Sequence, residues 1–475
     1  MDNCLQRDVV VIGGGPAGQK AAMQAAKEGR SVMIVDRIQE LGGECVQRGT
    51  IPSKTLRETA VTLTALKSRT EGVLQVDLGE DLKVTSLMKR LRSVLAGHQD
   101  YMRQQIDRNG IEVFNGKARI SGPKEVTVEK PGGGSLVVHS DLIVIATGSR
   151  PRSPDFLEID HDHILDSDSI LSIIYLPKSL TVLGGGVIAC EFATIMTALG
   201  VDVTIVDRHD KPMGFLDSEL TDRFLAAFER SGGTFMGNRN PTSVVFDGVS
   251  SVEVRFEDGA CLRSERVLCA LGRQACIAGL GLEDVGVEIT DRGYVGVDEN
   301  FVTSVEGILA VGDVVGPPGL AATAMDQGQR AMRHALGLPL PRSGALVPLG
   351  IYTIPEMGGI GQTEAEARKE HGEILIGRAF FHELARGQIT GNTEGLLKLV
   401  FDARGERLLG AHIVGEGATE IIHVAQMAMH GNMGLDDFLE NTFNFPTLGE
   451  AYRVAAIDAH GKLAKRQDKA AKEAA

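Results

Sequence analysis

No apolar run in this chain of 475 residues approaches the ~18 residues that a membrane-spanning helix needs. Cysteine is scarce. The six residues, Cys4, Cys45, Cys190, Cys261, Cys269 and Cys276, contain no CxxC pair. That spacing argues against a disulfide framework or a thiolate zinc site, and no metal is expected; most of the thiols should be reduced and buried. Positive charge is also short, with a formal net charge of -14. Neither a nucleic-acid partner nor an anionic membrane surface fits that balance. Small anionic ligands stay open, because a helix N-terminus binds phosphate without a basic patch. The first eleven residues are too short and polar for a secretion signal and run straight into a strand pattern, so a cytoplasmic protein is expected.

What is present is a globular composition, 43% hydrophobic, and a length that at roughly 150 residues per domain suggests about three domains. Two segments look like copies of one unit: DVVVIGGGPAG at 8–18 and SLTVLGGGVIAC at 179–190. Each has an apolar strand, a glycine cluster, an alanine-rich helix and a second apolar strand ending in aspartate. Asp36 and Asp207 each stand 23 residues beyond the first motif glycine, Gly13 and Gly184. One GxGxxG match is weak evidence, but two in the same strand–turn–helix setting with the same acid offset are strong. Gly13 and Gly184 permit the tight turn. Gly15 and Gly186 let the backbone approach a pyrophosphate, and Gly18 and Ala189 let the helix pack onto its strand. The helix N-terminus then offers unpaired N–H groups to the phosphates, and each aspartate can accept from an adenosine ribose.

LIVIATGSRP at 142–151, VLCALGRQ at 267–274 and GILAVGDVVG at 307–316 read as further buried strands ending in turns. From about Leu346 the texture changes to Thr/Pro turns, short strands and a helix at 418–430, which predicts an α+β domain. The closing KLAKRQDKAAKEAA is charged and alanine-rich and reads as a frayed, solvated helix or a tail without a role.

Together with GGECVQRGTIPSK, ATGSRP, AVGDV and TFNFPTLGEAYR, these motifs resemble the flavoprotein disulfide reductase family of lipoamide dehydrogenase and glutathione reductase over nearly the whole chain. GTIPSK, GIYTIPE, LARGQI and FNFPTLGEAYRVAA are most similar to the branch that exchanges hydride between pyridine nucleotides. The resemblance implies an α/β homodimer with two Rossmann-like dinucleotide-binding domains and a C-terminal α+β dimerisation domain. The FAD domain would comprise residues 1–150 and 275–345, the inserted NAD(P) domain 151–274 and the dimerisation domain 346–475. It implies FAD on Gly13, Gly15, Gly18, Asp36, Arg37, Gly43, Thr147, Gly148, Gly312, Asp313 and Ala321. NAD or NADP would lie on Gly184, Gly186, Glu191, Asp207, Arg208 and Gly272. Lys54 and Glu191 match the family pair beside the flavin and the nicotinamide. A capping carboxylate is the competing reading of Glu191, which falls early in a helix.

Two departures bear on the chemistry. The family carries CxxxxC beside the flavin; here Cys45 is followed by Thr50, a hydroxyl that does not ionise near neutral pH. The family carries His-Pro-Thr near its C-terminus; here Phe445 precedes Pro446 and Thr447, so no base stands there, and Glu450 loses the histidine it would orient. Without a dithiol, reduced FAD must pass hydride to a second acceptor, and a second pyridine nucleotide is the simplest. Hydride exchange between NADPH and NAD+ is therefore expected. An NAD(P)H dehydrogenase feeding a quinone, dye or oxygen carries the same motifs, and Thr50 and Phe445 weigh against a lipoamide dehydrogenase. The stretch Asp207-Arg208-His209 holds a signal for each nucleotide: the acid favours a ribose 2′-OH and should turn away from a 2′-phosphate, to which Arg208 can donate.

Overall fold

Val9, Val10, Val11 and Ile12 are all buried, so the second half of the strand Cys4–Ile12 is covered on both faces, as strands of helix-flanked parallel sheets are. A computed structural model describes residues 4–69, 84–340 and 346–474. Cys4–Ile12 pairs in parallel with Val32–Asp36 on one side and with Ser135–Ile145 on the other. Ile308–Ala310 returns from far along the chain to extend the same sheet, pairing Ile143 with Ile308. The helices Pro16–Lys27 and Ala321–Ala335 cover one face. They approach closely because position 328 is glycine: a Cβ there would lie 2.1 Å from the carbonyl oxygen of Ala17.

A second, wholly parallel five-stranded sheet repeats the plan. Its strands run in the order Thr234–Met236, Asp202–Val206, Ser179–Leu183, Arg266–Cys269 and Ile164–Asp166. An antiparallel ladder of Ser149–Pro151 with Arg273–Ala275 carries the chain out of the first unit and back into it. The expected boundaries near 150 and 274 fall in this ladder, and the one at 345 falls on residues 341–345, outside the described residues.

The C-terminal unit is an antiparallel sheet in the order Leu349–Ile351, Met357–Gly361, Leu408–Val414, Leu396–Asp402 and Ile374–Phe380. The helices Ala418–His430 and Glu450–Ala474 pack on it. The closing stretch is a solvated helix, exposed over 467–473, and the expectation that it has no role is corrected at its start, where Lys462 and Arg466 are anchored. The last helix is continuous from Glu450 and grips the edge strand: Asp458 accepts from the Arg378 N–H at 2.9 Å, Lys462 donates to the Ile376 carbonyl at 3.0 Å, and Arg466 to the Ile374 carbonyl at 2.9 Å. Four helical residues advance about 6 Å and two strand residues about 6.6 Å, so one side chain per turn meets every second strand residue. Side-chain donors and acceptors thereby close an edge that would otherwise present bare backbone groups. Composition alone hid this, because the stretch has no apolar stripe. Among the described residues, no helix is long and apolar enough to cross a membrane.

Candidate functional site

The two glycine turns are alike to within a few degrees. Gly13 and Gly184 have φ of 109° and 110°, values that L side chains rarely adopt, and their N–H groups donate to Val35 and Val206 at 2.8 Å. The capping residues Gly15 and Gly186 have φ/ψ of -74°/-176° and -79°/-179°. A Cβ on Gly186 would meet nothing within 4 Å and one on Gly15 only Gly43 Cα at 3.9 Å, so each helix end is open to a ligand. Gly18 is needed for packing instead: a Cβ there would lie 2.0 Å from the Gly13 carbonyl oxygen.

Asp36 and Asp207 do more than wait for a ribose. Asp36 accepts from Gly14 N at 2.6 Å and from Ile38 N at 2.9 Å. Asp207 accepts from Gly185 N and, at 2.7 Å, from His209 N. Each carboxylate locks its own glycine turn. Turning Asp207 away from a 2′-phosphate would break both bonds, a cost that the sequence did not reveal. Arg208 and His209 are exposed beside it, with Arg208 Nε 3.1 Å from His209 Nε2.

Around the first turn the predicted cofactor residues converge from distant segments. A Cβ on Gly13 would lie 3.2 Å from Thr147 N, one on Gly43 2.9 Å from Gly15 Cα, and one on Gly312 3.0 Å from Ala17 Cβ. Gly148 accepts from Cys276 N at 2.9 Å, Asp313 accepts from Ser149, and Ala321 opens the helix that packs on the turn's own helix. Arg37 is exposed just past Asp36, and Gly272 accepts from Arg152 N at 3.0 Å at the outer end of the ladder. Thr147 Oγ1 and Glu44 Oε2 are buried there with no hydrogen-bond partner. Buried polar atoms are rarely left so, and burial raises the Glu44 carboxyl above its ordinary pKa. These residues fit a dinucleotide whose hydroxyl and phosphate groups would satisfy them.

Lys54 and Glu191 come together from segments 137 residues apart, with Nζ 2.6 Å from Oε2. Their side chains are 24% and 5% exposed. Glu191 caps nothing: the cap of its helix Val187–Ala198 is Gly186, and its second oxygen accepts from the Tyr352 N–H at 2.9 Å. The Tyr352 ring lies under the ammonium, 4.9 Å from its centroid. Arg57, one turn beyond Lys54, donates to the Thr353 carbonyl at 3.2 Å and pairs with buried Glu356 at 3.0 Å. Lys54 and Arg57 thus fasten one helix face to the segment Tyr352–Glu356. Tyr352, Arg57 and Glu356 were not among the predicted residues; the signal lay in GIYTIPE, an acid and an aromatic in an otherwise apolar segment.

All six cysteines are free. Cys45 lies on the short helix Gly43–Gln47; burial pushes its thiol above the ordinary range, opposed by a hydrogen bond from Thr50 and by the Lys54 charge. It is held as a thiol beside a hydroxyl, with no cysteine partner. Phe445 is 66% exposed, and Glu450 Oε2 is buried without a partner.

The chain matches the model of the family described as pyridine nucleotide-disulphide oxidoreductase over residues 7–328 and the dimerisation domain of that family over 347–456. A protein of Mycobacterium bovis named soluble pyridine nucleotide transhydrogenase is 40% identical over 96% of this chain and 97% of its own length. One of the same name from Marinomonas is 38% identical over 96% and 98%. The crystal structure of LpdA from Mycobacterium tuberculosis superposes with a TM-score of 0.87 at 25% identity, covering 95% of this chain and 99% of that one. The HOCl-induced flavoprotein disulfide reductase RclA from Escherichia coli gives 0.86 at 25% identity over the same shares.

Proposed function

The chain belongs to the pyridine nucleotide-disulphide oxidoreductase family, and from that premise we propose that it is an FAD-dependent transhydrogenase moving hydride between NADPH and NAD+ without a redox disulfide. The observation that carries the reading is a contrast within one site. The Lys54–Glu191 pair is built and braced, while Cys45 faces Thr50 and burial keeps its thiol protonated. When bound, FAD supplies the two-electron carrier between the two nucleotides.

The chain's own residues do the rest. Gly13, Gly15, Gly18, Asp36, Arg37, Gly43, Thr147, Gly148, Gly312, Asp313 and Ala321 hold FAD, and Gly184, Gly186, Asp207, Arg208 and Gly272 hold NAD or NADP. Glu191 fixes Lys54, whose positive charge stands ready for developing negative charge beside a nearly fully buried carboxylate. The working molecule is a cytoplasmic homodimer of the three domains outlined by residues 1–150 with 275–345, 151–274 and 346–475. The dimerisation-domain match over 347–456 supports that assembly.

Anaerobic reduction by NADPH followed by NAD+ tests the reading. The flavin absorbance should bleach and then return, with NADH appearing in equal amount. Cys45→Ser should do the same at a rate within about threefold of the parent. Bleaching without return on NAD+ favours electron delivery to a quinone, dye or oxygen. A hundredfold slower cycle in Cys45→Ser, with FAD retained, would restore a redox role to that thiol.

The 2′-phosphate is tested at Arg208. A charge-assisted contact is worth about 1.5–3 kcal/mol, so Arg208→Ala should weaken NADPH use by about tenfold or more and spare NADH. Added salt should narrow the difference between the enzymes, because the contact is exposed. Asp207→Ala should loosen the glycine turn and weaken both nucleotides. Equal loss of both in Arg208→Ala would remove this loop from nucleotide choice.

A further inference from the structure

The ladder joining the two nucleotide-binding units ends in a hydrogen-bond relay that leads to Asp313. Arg273 reaches across it with two donors, Nε to Ser149 Oγ at 2.7 Å and Nη2 to the Ser149 carbonyl at 2.8 Å. Ser149 Oγ in turn donates to Asp313 Oδ2 at 2.7 Å. The polarity of this chain is forced. A guanidinium has donors only, so the hydroxyl must accept from it, and its single proton must then point at the carboxylate. Ser149 is buried, which removes water as a rival partner. The adjoining Gly312 N–H is held separately, by Gln327 Oε1 at 2.8 Å.

We propose that Arg273 and Ser149 are positioning residues for FAD: the relay pins one oxygen of Asp313 and so presents the other to the cofactor. The inference rests on the FAD reading above. Its consequence for the architecture is specific. Arg273 stands on Arg273–Ala275, the strand by which the chain re-enters the first unit, paired with Ser149–Pro151, the strand by which it leaves. The grip on FAD therefore depends on the connection that carries the other nucleotide unit. Two contacts from one planar group also set the angle of Ser149, which a lysine cannot do.

The test measures FAD release from the purified holoenzyme by recovery of free-flavin fluorescence on dilution, alongside the thermal midpoint of the apoprotein. Ser149→Ala and Arg273→Met should each raise the FAD dissociation constant by about tenfold, the effect of losing one charge-assisted bond. Arg273→Lys should behave like Arg273→Met, and Ser149→Thr, which keeps the hydroxyl, should return to within about threefold of the parent. The double variant should be no worse than either single one, because both cut one relay. The apoprotein midpoints should fall, since the same buried bonds are present without the cofactor, but the further rise in midpoint on adding FAD should also shrink in Ser149→Ala and Arg273→Met and return in Ser149→Thr, which a merely structural role would not produce. A dissociation constant within about threefold of the parent in Ser149→Ala, or a double variant equal to the product of the singles, overturns the relay. A parent protein that takes up no FAD at all overturns the cofactor reading itself.

Discussion

Lys54→Met is expected to slow flavin reduction by NADPH and by NADH alike, by about a hundredfold, while FAD stays bound. The side chain changes little in size, so the loss is one of charge. Two effects act together. The pocket loses the fixed cation that faces developing negative charge, and Glu191 loses its ion partner while remaining almost fully buried. The Tyr352 N–H is then its one hydrogen bond from outside its own helix among those described. Both nucleotides use this end of the pocket, so both should fall by similar factors, unlike the split expected of Arg208→Ala. Anaerobic stopped-flow absorbance with each nucleotide gives the rates directly. Rates within about threefold of the parent for both would make the pair a brace between units and nothing more. Glu191→Gln separates the two effects: its one oxygen can keep the bond from the Tyr352 N–H, its amide nitrogen cannot accept from Lys54, and Lys54 stays charged but unpaired, so it should cost less than Lys54→Met.

The parts of this site that could be read from the sequence are those that local sequence determines. A glycine with φ near 110° followed by a helix whose third motif position must be small is written within a dozen residues, and it is written twice. The aspartates were legible as motif members but not as locks on their own turns, since the bonds to Gly14 and Gly185 depend on how each loop closes. Pairs between distant segments were not legible at all. Glu191 to Tyr352 spans 161 residues and Ser149 to Asp313 spans 164, and spacing carries no signal at that range. Even Lys54 and Glu191 became a pair only by resemblance. The last helix was legible as a solvated helix at its end, but the anchoring of Lys462 and Arg466 was not, because the groups they satisfy are backbone atoms of a strand some 90 residues earlier. LLKLVF puts a lysine in a strand that is otherwise apolar on both faces, and such a lysine needs buried carboxylates.

Those carboxylates give the largest expected effect on stability. Lys398 and Asp217 have side chains only 2% exposed; Lys398 Nζ lies 2.9 Å from Asp217, 3.2 Å from Glu219 and 2.6 Å from Glu364. Arg378 pairs with Glu219 at 2.9 Å, and Arg368 with Glu364 at 2.7 Å, so three cations balance three anions. The cluster sits where the helix Ser218–Arg230 of the second nucleotide unit meets the C-terminal sheet, and it holds the unit that carries Glu191 against the unit that carries Tyr352. Lys398→Met removes the central cation and leaves a buried carboxylate uncompensated, which costs about 3–5 kcal/mol. Desolvation raises the Asp217, Glu219 and Glu364 carboxyls, but hydrogen bonds hold all three below their ordinary pKa values, from Lys398 for Asp217 and Glu364 and chiefly from Arg378 for Glu219. A depressed folded-state pKa contributes stability that is present above the unfolded value and lost as pH falls through the folded one. The gap between parent and Lys398→Met should therefore be widest near neutral pH and shrink below about pH 4, as the carboxylates protonate. Asp217→Asn keeps one acceptor for the Glu219 N–H, gives up the bond from the Glu364 N–H, and removes the charge that Lys398→Met leaves most deeply buried. The double variant Asp217→Asn/Lys398→Met should then unfold later in urea than Lys398→Met alone. A Lys398→Met protein whose unfolding midpoint matches the parent's at pH 7 would show that the cluster does not clamp the two units together.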